Sequence, residues 1–155
     1  MTTIETHLTE ILNDLIHINY DRIEGYRKAA EESKTYDIEL HPLFQRMADE
    51  SRKNVSELTE KVRVLGGKAE SGSTTLGAIY RGWMDVKATF TGKDRASILA
   101  ACEFGEDQAQ KAYDDALASD AEIDAETRQV ITAQKATLKS SHDEIKKLRD
   151  VSKAN

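Results

Sequence analysis

Cysteine and proline occur once each among the 155 residues, aromatic side chains make up 6%, and no apolar run approaches the about 20 residues that a membrane-spanning helix needs. A lone Cys102 rules out an intramolecular disulfide and any multi-cysteine zinc site; its ordinary role is a small buried hydrophobe, with a nucleophilic thiol as the alternative. Basic residues gathered on one segment are lacking too. The formal net charge is -6, and the C-terminal Lys146, Lys147, Arg149 and Lys153 are interleaved with Glu144 and Asp150, which describes a solvated helix end and no footprint for nucleic acid. The opening Met1-Thr2-Thr3-Ile4-Glu5 has neither the basic nor the apolar region of a secretory signal, so the expectation is a cytoplasmic protein with no membrane partner. Gly-x-Gly-x-x-Gly and Walker-type loops are absent, and no strand-turn-helix pattern is there to host a Ser/His/Asp nucleophile.

What is present points to helix. Hydrophobic residues make up 39% and charged residues 32%, a balance carried by Ala, Leu, Glu, Lys and Gln, which enter helices at little cost. The length suits one domain, 1–155, around a single core. From Ile4, the residues Leu8, Ile11, Leu12, Leu15, Ile16, Ile18, Ile23 and Tyr26 recur at steps of three and four, which predicts a helix A ending near Glu32. A second stretch starts around Asp37 and carries Leu40, Phe44, Met47, Val55, Leu58, Val62 and Leu65. Pro42 sits in its first turns, where a missing N–H costs least, and Gly66-Gly67 ends this helix B. A shorter pattern through Leu76, Ile79, Tyr80, Trp83, Val86 and Phe90 is broken at Thr91-Gly92-Lys93-Asp94, where Asp94 is a candidate cap for the next helix. Helix C then carries Ile98, Leu99, Cys102, Ala109, Ala112, Tyr113 and Leu117, and helix D carries Ile123, Val130, Ile131, Leu138, Ile145 and Leu148.

Helix lengths discriminate between topologies. A, B and D each run to roughly 28 to 31 residues, or about 42 to 46 Å at the α-helical rise, so A and B must form an antiparallel hairpin. Residues 66 to 93 include a helix of about 15 residues, about 22 Å long, enough to carry the chain back to the other end. An up-down-up-down bundle needs no such return, whereas ferritin-like bundles do. The expected fold is therefore all-α: a ferritin-like four-helix bundle with a helical crossover between the second and third long helices. The rival reading joins 75 to 118 into one kinked helix.

Polar residues that fall on an apolar stripe are the informative ones. Near mid-length these are Asn19, Arg22 and Glu24 in A; Glu50, Ser51 and Asn54 in B; Glu106, with Glu103 and Asp107 beside it, in C; and Gln134 and the edge residue His142 in D. Carboxylates converging from facing helices can bridge two cations, with imidazole completing each shell, but the usual pattern needs Glu-x-x-His on two helices. No Glu-x-x-His occurs: helix B reads Glu50-Ser51-Arg52-Lys53, and His142 has no glutamate three residues before it. A reduced metal site would draw on Glu24, Glu50, Glu103, Glu106 and His142. The plainer expectation is ionic pairing that fixes helix register, such as Arg22 or Arg52 with Glu106.

His7 and His17 fall toward the polar side of helix A, Asp14-x-x-His17 notwithstanding, and His41, before Pro42, is expected to cap or to face solvent. Trp83, next to Gly82, reads as an anchor of the crossover helix, and Gly25 and Gly105 as positions of close helix approach.

The segment Tyr80-Arg81-Gly82-Trp83-Met84-Asp85-Val86-Lys87, followed by Cys102-Glu103-Phe104-Gly105-Glu106-Asp107 and Tyr113, resembles a bacterial ferritin-like four-helix-bundle family known as a domain of unknown function. Leu12-Asn13-Asp14-Leu15-Ile16, Leu65-Gly66-Gly67, His142-Asp143 and Leu148-Arg149-Asp150 extend the resemblance over nearly the whole chain. It implies the ferritin-like fold and no established activity, substrate or cofactor, and it raises Glu24, Glu103, Glu106, Asp107 and His142 as the residues to test.

Two functions follow as expectations. The first is a non-catalytic structural, stress-related or partner-binding module with no cofactor, self-associating as a homodimer through a strip at Ile16, Tyr20 and Ile23 or binding another protein. The alternative is a metal-binding protein holding iron or manganese in the reduced carboxylate/histidine site. A bundle holding a lipid or small apolar ligand between its helices is a third form that sequence alone does not address.

Overall fold

The computed structural model describes residues 1–33, 37–70 and 95–154. Among them run four helices and no strand: α1 (Thr3–Ser33), α2 (Leu40–Val64), α3 (Arg95–Ala118) and α4 (Ala125–Ala154). Local chemistry sets their ends. Thr2 and Glu5 form a reciprocal capping box, each side chain accepting the other's backbone N–H at 3.0 Å. Helix α2 begins three residues later than its periodicity suggests, because Asp37 stands outside it and Oδ1 accepts from the N–H groups of Glu39 and Leu40 at 3.2 and 3.1 Å. The helix closes in a Schellman turn: Gly66, at φ 82°, donates to Arg63 O, and Gly67 donates to Val62 O, both at 3.0 Å. A Cβ on Gly67 would lie 2.7 Å from Thr9 Cγ2, so glycine is what lets this turn seat against α1. Asp124 caps α4 through the N–H of Thr127 at 3.1 Å.

Every neighbouring pair of helices is antiparallel. Asn13 Nδ2 donates to Lys68 O at 3.1 Å, whereas Arg95 Nη1 reaches Asp37 Oδ2 at 2.9 Å, so the chain leaves α2 at one end of the bundle and enters α3 at the other. The result is the four-helix bundle of ferritin-like connectivity. The expected crossover helix, Trp83, Gly82 and the Asp94 cap lie outside the described residues. No described helix is long and apolar enough to cross a membrane.

The core divides into two apolar halves. Leu12, Leu15, Leu58, Val62, Tyr113, Ile131 and Leu138 fill the half near the α1 N-terminus, while Tyr26, Leu40, Phe44, Met47, Leu99, Cys102 and Ile145 fill the other. Between them lie buried polar residues from all four helices: Asn19, Arg22, Ser51, Asn54, Glu106, Gln134 and Ser141. Of the strip Ile16, Tyr20 and Ile23, Ile16 is fully buried, and Tyr20, half-buried like Ile23, packs against the core.

Candidate functional site

The polar belt has two layers. In the first, Asn19 Nδ2 donates to Tyr113 OH at 2.8 Å, Tyr113 OH donates to Gln134 Oε1 at 2.7 Å, and Asn54 Nδ2 donates to Asn19 Oδ1 at 3.1 Å. Gln134 Nε2 reaches Glu57 Oε1 at 3.0 Å. Four helices are thereby pinned at one level, and burial pushes the Tyr113 hydroxyl above its ordinary range.

The second layer centres on Arg22, which is 1% exposed. Its Nε donates to Glu106 Oε1 at 2.5 Å, Nη1 to Met47 O and Ser51 Oγ at 2.9 Å each, and Nη2 to Glu50 Oε1 at 3.2 Å. The guanidinium lies 5.0 Å from the centre of the Tyr26 ring, and Tyr26 OH donates to the same Glu106 Oε1 at 2.9 Å. Ser141 Oγ donates to Glu50 Oε1 at 2.7 Å and brings in α4. Burial works against the Arg22 charge, yet Glu106, Tyr26 and Glu50 together outweigh it and hold the guanidinium above the usual arginine range. Glu106 Oε2, also buried, meets no hydrogen-bond partner among the described residues.

A second cluster lies on the seam between α3 and α4. Glu103 and Asp107, four residues apart and so on one face of α3, stand opposite His142 of α4, each with a donor atom within 4.8 Å of the other two. His142 Nε2 and Asp107 Oδ1 are 2.6 Å apart, and the other ring nitrogen, Nδ1, is 3.1 Å from Asp143 Oδ1. Asp143 is held below its ordinary range first by Lys139 and then by His142. Arg149 forms a close ion pair with Glu103 and also reaches Asp150 at 2.9 Å.

The five residues singled out in the sequence are thus dispersed. Glu50 and Glu106 meet in the centre around Arg22, Glu103 and His142 meet at the seam, and Glu24 joins neither group, pairing with Arg27 at 3.0 Å on the surface. Arg22 proves the partner of Glu106, while Arg52 faces solvent beside Asp49. His41 caps the end of α1 and not the start of α2: Nδ1 stands 2.8 Å from Ala30 O, in the last turn of α1, and links the two helices. A surface cavity of about 400 Å³ lies beside it, lined in part by Arg27, Asp49 and Arg52, whose charges are already matched by Glu24 or by one another.

The fold is similar to that in the crystal structure of ferritin-like, diiron-carboxylate proteins from Bacillus anthracis str. Ames, with a TM-score of 0.69 over 97% of this chain and 99% of that one, at 17% sequence identity. No curated protein sequence matches the chain. Residues 7–119 match the family described as a domain of unknown function (DUF2383), and the chain belongs to that family.

Proposed function

We propose that the protein is a non-catalytic helical-bundle module, structural or partner-binding, that works through its surface. The observation that supports this reading is the place of Arg22, whose guanidinium sits between Glu50 and Glu106 where a catalytic bundle would set a cation. The diiron-carboxylate chemistry named for the Bacillus anthracis protein asks for Glu from two helices and Glu-x-x-His from the other two. The residues here do not fit it. Glu50 and Glu106 are both taken by Arg22, helix α2 has Lys53 three residues after Glu50, and α4 has Lys139 three residues before His142. Arginine does not deprotonate to make way for a metal. The orphan Glu106 Oε2 is a single donor atom, short of a ligand set.

Elemental mass spectrometry on untagged protein loaded with Fe²⁺ or Mn²⁺ tests this. The expected result is no pair of ions per chain, Fe²⁺ oxidation no faster than in buffer, and no change in either with Glu106→Gln. Two ions per chain that vanish in Glu106→Gln and in Glu50→Gln would overturn the reading.

One observation favours a second reading, a metal-binding ferritin-like protein with a reduced carboxylate/histidine site for iron or manganese. That observation is the approach of Glu103, Asp107 and His142 at the α3–α4 seam.

A further inference from the structure

We infer that the α3–α4 seam binds a single divalent transition-metal ion through Glu103, Asp107 and His142, away from the centre that Arg22 fills. The inference rests on the second reading above and names its cation class and stoichiometry. The family match covers Glu103 and Asp107 and ends at residue 119, before His142.

The donor set is mixed, with two carboxylates and one imidazole. Imidazole selects for zinc, iron, cobalt or nickel over magnesium and calcium, and carboxylates extend the range to manganese. Three protein ligands leave positions for water, so the ion remains mononuclear and partly hydrated. Donors bound to one ion at about 2.0–2.2 Å stand about 3–4 Å apart. The His142–Asp107 separation of 2.6 Å must open a little, a side-chain adjustment, while a Glu103 donor atom already lies within 4.8 Å of both. The ion takes the place of the hydrogen shared by His142 Nε2 and Asp107 Oδ1, which leaves to solvent.

Orientation is prepared in advance. A metal-binding histidine usually gives its other ring nitrogen to a carboxylate, which fixes the ring and strengthens the ligand. Asp143 stands in that position, 3.1 Å from Nδ1. Access is through Asp107, whose side chain is 55% exposed, against 15% for His142 and 13% for Glu103. Glu103 must leave Arg149 to join the ion, and Arg149 retains Asp150 as a partner, so the exchange strands no charge.

The test uses the full chain, stripped with a chelator and titrated with Co²⁺ and Zn²⁺ by calorimetry and visible absorption. One ion per chain is expected, with affinity falling in His142→Ala and in Asp107→Asn by at least the about 10- to 100-fold that the loss of an outer-shell partner alone costs. Arg149→Gln, which frees Glu103, is expected to tighten binding. All three substitutions lie on the surface of the seam, and unchanged helical circular dichroism checks that each variant is folded. Equal affinity in the parent protein and His142→Ala, or no binding at all, would overturn the inference and leave the non-catalytic reading standing. Two ions per chain lost with Glu50→Gln would overturn both.

Discussion

Glu106 and Asp107 are adjacent in sequence and live in opposite surroundings. Glu106 is fully buried, and one of its oxygens is saturated by Arg22 and Tyr26; Asp107, a third of a turn around the same helix, reaches across an open seam to His142. The contrast shows how burial assigns a job to a charge. A carboxylate cut off from water needs a permanent cation at hand, and arginine, which holds its proton, supplies one. Beside water a carboxylate can keep a looser partner and exchange it.

The most forceful way to break this contrast is Arg22→Ala. It leaves Glu106 and Glu50 without their cation and is expected to cost about 3–5 kcal/mol in urea denaturation. Replacing Arg22 by Met together with Glu106 by Leu should recover most of that loss, because the buried ion pair then disappears as a unit. At the seam the sign is reversed: metal at 100 times the parent Kd is expected to add about 2.7 kcal/mol to the parent protein and at most about 1.4 kcal/mol to His142→Ala, whose affinity is at least about 10-fold lower. Without metal, His142→Ala should cost about 1 kcal/mol, because its partner Asp107 is exposed although His142 itself is mostly covered. Tyr113→Phe probes the first polar layer, where it removes the hydroxyl joining Asn19 to Gln134, with an expected loss of about 1–2 kcal/mol.

Outside both regions, Asp124→Ala removes the α4 cap and should cost about 1 kcal/mol. Hydrogen bonds from Thr127 hold Asp124 below its ordinary 3.8, so the cap contributes fully above about pH 4 and is lost as pH falls further. The smallest effect concerns Cys102, beside the centre. Burial, and after it Glu106, push its thiol well above the usual range, so the native protein should resist alkylation and react only on unfolding.

Much of the bundle was legible in the sequence. The stripes of helices A to D foretold α1 to α4, and Gly66-Gly67 foretold the end of α2, because period and caps are local properties of a chain. The ion pair of Arg22 with Glu106 was legible because both sit on apolar stripes. The seam was harder to see. Spacing tells which face of a helix a residue occupies, but not which residue of another helix stands level with it. Glu24 was grouped with the mid-bundle acids, yet α1 turns it toward Arg27, and Asp107 was grouped with Glu106 although their side chains point about 100° apart.

Because every helix runs opposite to both of its neighbours, the positive end of each peptide dipole lies beside two negative ends. The four macrodipoles nearly cancel, and their influence fades within a turn of the helix ends. The backbone therefore exerts almost no field at the middle of the bundle. A charge placed there must find its counter-charge among side chains at the same level, as Arg22 finds Glu106 and Glu50.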